Sequence, residues 1–147
     1  MESTLPASIV QAEALRQRYL NEAVVTASPA TRLIMLYDQM LLDFRVADDG
    51  FERGDLKAVN DSLCNAQEIL LVLRGTLRTD LWGGAEELAS LYLYLHQQLV
   101  EANLHKDRDQ ARRAGELVGD LAGAWHQAAE IEAEQHSPEP MIGRGAG

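Results

Sequence analysis

Apolar residues recur at alternating spacings of three and four in four successive stretches of this chain, each of similar length. This spacing places a continuous apolar stripe along one side of an α-helix, and the stripe must be buried against other helices. Short connections between the stretches force neighbouring helices to run antiparallel. The pattern therefore predicts an all-α fold, an antiparallel up-down-up-down four-helix bundle. The predicted stripes are Leu33, Tyr37, Met40, Phe44, Ala47 and Phe51; Leu56, Val59, Leu63, Ala66, Leu70, Leu73 and Leu77; Ala85, Leu88, Tyr92, Leu95, Leu99 and Ala102; and Ala111, Ala114, Val118, Leu121, Trp125 and Ala128.

Local signals predict where the helices begin and end. Ser28 suits the N-cap of the first helix, because its hydroxyl can accept hydrogen bonds from first-turn amides, and Pro29 follows at the first helical position. Gly54 suits a left-handed C-cap, and Asp55 directly after it suits the next N-cap. Asp107 is expected to cap the fourth helix. The second helix is predicted to end near residue 78 and the third near residue 104.

These signals divide the chain into three parts. Residues 1–27 form an N-terminal arm, a short helix or an extended segment, with an amphipathic patch that includes Tyr19, Leu20 and Val24. Residues 28–131 form the bundle. Residues 132–147 are predicted to be a disordered tail, because prolines and glycines separate short polar pieces that cannot bury enough surface to hold a fold.

Composition excludes several classes of function. The formal charge of −10 and the pI near 4.7 repel phosphate backbones, so nucleic acid is not an expected partner. No run approaches the roughly 20 apolar residues that span a bilayer, and the first residues do not form a signal peptide, so we expect a cytoplasmic protein without membrane insertion. The single cysteine, Cys64, agrees with a reducing compartment.

The sequence contains no motif typical of a catalytic or metal-binding site. A dinuclear metal site in a four-helix bundle needs Glu-x-x-His motifs facing inward, and this chain contains none. The predicted core stripes of the first two helices contain no carboxylate. There is also no Gly-x-Ser-x-Gly motif and no phosphate-binding glycine loop. We therefore expect no enzyme activity, no metal and no cofactor.

Two of the predicted helices are apolar on a second face. Leu71 and Val72 lie opposite the core stripe of the second helix, and the third helix places Leu93, Tyr94 and Leu104 on its back, with Leu91 and Val100 at the sides. Either a wide core or the arm covers these residues, or they form a groove for a segment of another chain, which we favour.

Three glycines, Gly115, Gly119 and Gly123, recur every four residues in the fourth helix on the side away from its stripe. Each glycine costs an exposed helix about 1 kcal/mol relative to alanine. Close approach of a partner backbone is one explanation, and neutral accumulation in an over-stable bundle is the other.

Several short motifs resemble one bacterial family. Thr26-Ala27-Ser28-Pro29, followed by Leu33 and Leu36-Tyr37-Asp38, resembles the opening of the flagellin-specific export chaperones of the FliS family. The likeness continues, in order, through about residues 19 to 129. Its other motifs are Gly54-Asp55, Ala66-Gln67, Ile69-Leu70, Leu91-Tyr92 with Tyr94, Leu99 with Glu101-Ala102-Asn103, and Ala124-Trp125 with Gln127.

The resemblance implies a four-helix-bundle chaperone without catalytic activity. Such a chaperone binds the disordered C-terminal segment of flagellin, prevents premature polymerisation and presents its cargo to the flagellar type III export gate. The family also has an N-terminal segment that occupies the cargo site when cargo is absent, and Tyr19 resembles its tyrosine anchor.

These inferences combine into one hypothesis about binding. The C-terminal segment of flagellin is expected to fold onto the outside of the second, third and fourth helices of a chain that is a monomer or weak dimer without cargo. The alternative is a structural helical bundle that self-associates through the outer faces of the second and third helices. The predicted cargo-binding residues are Leu71, Val72, Leu91, Tyr94, Leu104 and Trp125.

Overall fold

The computed structural model describes residues 28–77 and 83–136, and these ranges contain four α-helices. Each helix packs against the next one along the chain, and the last packs against the first, so that the four form a ring around one core. The all-α prediction is confirmed. The helices are α1 (Pro29–Arg53), α2 (Leu56–Thr76), α3 (Ala85–His105) and α4 (Arg108–His136).

The predicted caps form as expected. The Ser28 hydroxyl accepts a hydrogen bond from the Thr31 amide at 3.2 Å, and Pro29 opens α1. Gly54 ends α1 with a φ of 69°, a left-handed conformation that glycine adopts without steric cost. Two aspartates then cap the helices that follow them. Asp55 accepts from the amide of Ala58, and Asp107 accepts from the amide of Gln110, both at 3.1 Å.

Other helix ends differ from the sequence prediction. α2 ends at Thr76 instead of residue 78, and α3 continues to His105. α4 continues to His136, beyond the predicted start of the tail at residue 132, because the Glu-rich and Ala-rich sequence there consists of good helix formers. The N-terminal arm, with Tyr19, Leu20 and Val24, and residues 137–147 lie outside the described residues.

The core consists mainly of the predicted stripes, and every predicted position of α3 is buried. Two predicted core residues, Leu56 and Ala128, are instead exposed. Leu56 is the first residue of α2, where few neighbours surround it. Ala128 is exposed because α4 has 29 residues against 21 in α3, so its last turns extend beyond the neighbouring helix.

Two polar side chains are buried beside the predicted apolar stripes. Asp43 of α1 is only 4% exposed, and its Oδ1 accepts a hydrogen bond from Gln39 at 3.3 Å. Ser62 of α2 is equally buried and donates to the Ala58 carbonyl at 2.6 Å. Asp43 lies beside the apolar stripe, where spacing alone does not reveal burial.

An ionic cluster joins the end of α1 to the start of α4. Arg108 and Arg112 both donate to the Asp48 carboxylate, through their Nε atoms at 2.9 and 2.8 Å, and Arg108 also donates to Glu52 at 2.8 Å. Hydrogen bonds from Arg108, and then from Arg112, hold the pKa of the Asp48 carboxyl well below its ordinary value. The contacts join the end of one helix to the beginning of the other, as antiparallel neighbours require.

Two of the three glycines of α4, Gly115 and Gly119, face α1. A Cβ atom at Gly115 would lie only 3.1 Å from Cδ1 of Phe44, and one at Gly119 would lie at an ordinary 3.9 Å from Leu41. A Cβ at Gly123 would meet nothing within 4 Å. Close approach therefore explains Gly115, but the close neighbour is the protein's own Phe44. No packing requirement in the structure explains Gly123.

This difference gives a matched pair of substitutions within one helix. Gly123→Ala should raise the free energy of unfolding by about 0.5 to 1 kcal/mol, because alanine is the better helix former and its methyl group enters open space. Gly115→Ala should raise the free energy of unfolding by at least about 0.5 kcal/mol less than Gly123→Ala does, because Phe44 must move to admit the methyl group. Urea denaturation of both variants measures the difference. Equal gains would show that Gly115 is not constrained by Phe44.

Candidate binding surface

Apolar side chains that the core does not bury are concentrated on α2 and α3. Four of the predicted contacts, Leu71, Val72, Tyr94 and Leu104, are between 48% and 74% exposed. The other two, Leu91 and Trp125, are half-buried and pack against the core. The large exposed apolar residues of the described chain are Val46, Leu56, Leu71, Val72, Leu93, Tyr94, Val100, Leu104 and Ile131.

The first surface lies along the contact between α2 and α3. The Asn103 side-chain amide donates to Asn60 Oδ1 at 2.9 Å and contacts Cys64 Sγ at 3.6 Å, which marks where the two helices meet. Leu71 follows Cys64 by seven residues, two helical turns, and so lies on the same side of α2. Antiparallel packing brings Leu71 to the level of Leu93. We call Leu71, Leu93, Val100 and Leu104 the α2/α3 face.

The second surface lies along the contact between α3 and α4. The Gln110 side-chain amide donates to Gln98 Oε1 at 3.0 Å and to Glu101 Oε2 at 2.9 Å across this contact. Leu91 precedes Gln98 by seven residues and Leu117 follows Gln110 by seven, so both face the groove at one level. Both are half-buried.

Two further residues complete this groove. Tyr94 precedes Glu101 by seven residues and therefore lies on the outer edge of α3, with its ring exposed. Leu121 lies one turn beyond Leu117 on α4 and is half-buried. We call Leu91, Tyr94, Leu117 and Leu121 the α3/α4 groove. Leu117 was not predicted from the sequence as a surface residue, and Leu121 was assigned only to the core stripe. Their spacing of four, followed by Ala124 three residues later, was a visible signal.

The third surface is a pocket of about 650 Å³ at the end of the bundle where α1 begins. Val72 and Trp125 line this end pocket. Because successive residues of a helix point about 100° apart, Val72 faces α1 whereas Leu71 faces α3, and the two therefore serve different surfaces. Other apolar side chains of the lining are Pro29, Ala30, Leu33, Leu36, Leu73, Leu77, Ala85, Leu88 and Tyr92.

Trp125 belongs to an aromatic cluster that connects three helices. The hydroxyls of Tyr37 and Tyr92 are hydrogen-bonded at 2.7 Å in the buried core, and the rings of Tyr37 and Trp125 lie 6.3 Å apart. Burial raises the pKa of both tyrosines. The indole N–H approaches the Tyr37 hydroxyl closely enough to oppose this rise, without meeting the geometry of a full hydrogen bond. Trp125 is thus partly a core residue.

Within residues 28–77 and 83–136, no three or more His, Cys, Asp or Glu side chains are grouped so that they could hold a metal ion. His126 instead contacts Asp38 of α1 through Nε2 at 2.8 Å. Over the same ranges, none of the helices combines the length and hydrophobicity needed to cross a membrane.

Comparison with known proteins shows which family the chain belongs to. The family model "Flagellar protein FliS" matches residues 11–132. The chain belongs to the FliS family. The flagellar secretion chaperone FliS of Bacillus subtilis strain 168 is 32% identical over 114 residues, which cover 78% of this chain and 85% of that protein. The flagellar secretion chaperone FliS of Salmonella typhimurium strain LT2 is 30% identical over 127 residues, which cover 85% of this chain and 94% of that protein.

FliS is a family of chaperones and not of enzymes, as the sequence analysis expected. The sequence motifs that this chain shares with the family include both buried and exposed residues. Tyr37, Tyr92 and Trp125 build the aromatic cluster, whereas Tyr94 is exposed two residues beyond a buried tyrosine. The motifs therefore combine residues that hold the helices together with residues that are accessible to another chain.

The Tyr37–Tyr92 hydrogen bond can be measured by a double-mutant cycle. Tyr37→Phe and Tyr92→Phe should each lower the free energy of unfolding by about 1 to 2 kcal/mol, because each leaves one buried hydroxyl unpaired. The double variant should lose clearly less than the sum, since no unpaired hydroxyl then remains. Guanidinium denaturation gives the four free energies. Strict additivity would mean that the two hydroxyls do not interact.

Proposed function

We propose that this protein is a cytoplasmic export chaperone that binds the disordered C-terminal segment of flagellin and prevents its premature polymerisation. It then delivers the bound flagellin to the flagellar type III export apparatus. The observation that carries the proposal is the exposed apolar surface of α2 and α3, on a chain whose relatives are flagellar secretion chaperones. An exposed apolar surface of this kind marks an interaction site for another protein chain.

The proposed contacts are distributed over three surfaces. Leu71 and Leu104 belong to the α2/α3 face, and Leu91 and Tyr94 belong to the α3/α4 groove. Val72 and Trp125 line the end pocket. A single segment that touches all three surfaces must pass around the bundle, so it binds as several short pieces joined by bends and not as one straight helix.

Binding of a disordered segment couples its folding to association. Coupled folding of this kind typically buries on the order of 1,000 to 3,000 Å² and loses roughly 2 to 5 kcal/mol to ordering. Burial of apolar surface also gives a large negative heat-capacity change. Calorimetry with the C-terminal flagellin segment at several temperatures therefore tests the proposal directly, and absence of binding at micromolar concentration by the folded bundle would reject it.

The N-terminal arm is proposed to act as a lid in the absence of cargo. Ser28 begins the described chain, and Pro29 and Leu33, next to it, line the end pocket. The arm therefore joins the bundle at the edge of an apolar pocket. Tyr19, Leu20 and Val24 supply apolar side chains that can compete with cargo for such a surface.

The lid can be tested by hydrogen exchange on the full chain. Amides near Tyr19 should be protected without cargo and should lose that protection when the flagellin segment saturates the protein. Tyr19→Asp should tighten cargo binding several-fold, because a weaker lid leaves more of the binding-competent state. Gln11→Asp changes the charge equally and should have little effect. Unchanged protection of the arm at saturation would refute the lid.

The α2/α3 face has its own test in a pair of charge insertions. Leu71→Asp should weaken binding of the flagellin segment at least about tenfold, because a carboxylate there would be desolvated by the bound chain. The melting temperature should change little, since Leu71 is exposed in the free protein. Isothermal titration and thermal denaturation measure the two quantities.

Val46→Asp is the matched control, because Val46 is also exposed, at 41%, but lies on α1. It should leave the affinity unchanged. Equal weakening by both variants, or loss of folding in Leu71→Asp, would contradict the assignment. Light scattering separates the alternative function: a monomer that forms a 1:1 complex with flagellin supports the chaperone, whereas a stable homodimer dispersed by Leu71→Asp supports self-association through α2 and α3.

A further inference from the structure

The α3/α4 groove is bordered by an excess of carboxylates. On α3, Glu87 and Glu101 lie seven residues before and after Tyr94 and so follow the same edge of the helix. On α4, Asp120 lies three residues beyond Leu117, on the outer edge. The basic side chains on this border are Arg113 and His105, which follows Gln98 by seven residues. With histidine counted as neutral, three negative charges and one positive charge leave a formal charge of −2 around the apolar side chains.

The α2/α3 face has a different electrostatic character. Arg74, one turn beyond Leu71, and Lys106, close to Leu104, are balanced by Glu68 and Glu86 at its border. The charges around this face therefore sum to zero, whereas those around the α3/α4 groove do not. The excess of acid is thus a property of the groove and does not merely repeat the average charge of the surface.

We propose that the α3/α4 groove selects an amphipathic segment whose apolar anchors are flanked by lysine or arginine side chains. The inference rests on the proposed chaperone function and names the chemistry of the cargo segment at this one surface. Leu91, Leu117 and Leu121 receive the apolar anchors, and the bordering carboxylates attract the basic side chains. Complementary charge at the border of an apolar contact raises the association rate and discriminates against acidic competitors.

Two synthetic helical peptides provide the probe. They share one length and one stripe of leucines, but the positions beside the stripe carry lysine in one peptide and glutamate in the other. Fluorescence anisotropy with the full chain should show that the lysine peptide binds at least about tenfold more tightly at low salt. The advantage should shrink as sodium chloride is raised, because exposed charges are screened. Equal affinities for the two peptides would overturn the proposal.

The overall negative charge of the protein attracts any basic peptide, so a matched variant is needed. Glu87→Gln with Asp120→Asn should remove most of the preference. Glu116→Gln with Glu130→Gln makes the same change in net charge outside both the groove and the α2/α3 face and should retain the preference. Equal losses in the two double variants would overturn the proposal, as would lysine-peptide binding that is unchanged by Tyr94→Ala, which removes the exposed ring without adding charge. Circular dichroism confirms that each variant is folded.

The flagellin segment distinguishes this inference from the proposed function. If that segment binds the protein but the lysine peptide has no groove-dependent advantage, the charge selection is wrong while the chaperone function stands. If the lysine peptide shows the groove-dependent preference and the flagellin segment does not bind, the chaperone function is wrong. A groove-dependent preference together with flagellin binding supports both.

Discussion

Each helix of a four-membered ring can bury only one face, and this geometric limit governs the rest of the molecule. α3 uses its one inward face completely, because all six residues of its predicted stripe are buried. Every other apolar residue of that helix must then lie at the sides or on the outside. Leu93, Tyr94 and Leu104 are exposed for this reason and not because the core is poorly packed. Surface available for binding follows directly from the number of helices.

The two ends of the bundle are built differently. At the end of the bundle where α1 ends and α4 begins, Asp48 and Glu52 bind two arginines, and short capped turns join the helices. At the other end, where α1 begins, apolar side chains surround the end pocket beside Trp125. The ionic contacts therefore hold one end of the bundle together, whereas the other end carries an apolar pocket that is one of the proposed binding surfaces.

The aromatic cluster joins α1 to α3 and α4, the two helices that carry the α3/α4 groove. Tyr37 contacts both Tyr92 and Trp125, which lie on the two helices that border the α3/α4 groove. The hydroxyl pair is buried and hydrogen-bonded, so it holds α1 against α3 at a defined separation. The family motif around Tyr37 is therefore a structural requirement for the groove, even though Tyr37 itself is not accessible.

The sequence by itself determined the four helices, their caps at Ser28, Asp55 and Asp107, and most of the core, because helical periodicity and capping are local properties of the chain. Periodicity also predicted that Leu71 and Tyr94 would be exposed. Only the tertiary structure decided that Asp43 is buried, that Gly115 faces Phe44 and that Leu71 and Val72 belong to different surfaces. These features depend on which neighbouring helix each side chain faces, and the spacing of residues along one helix does not contain that information.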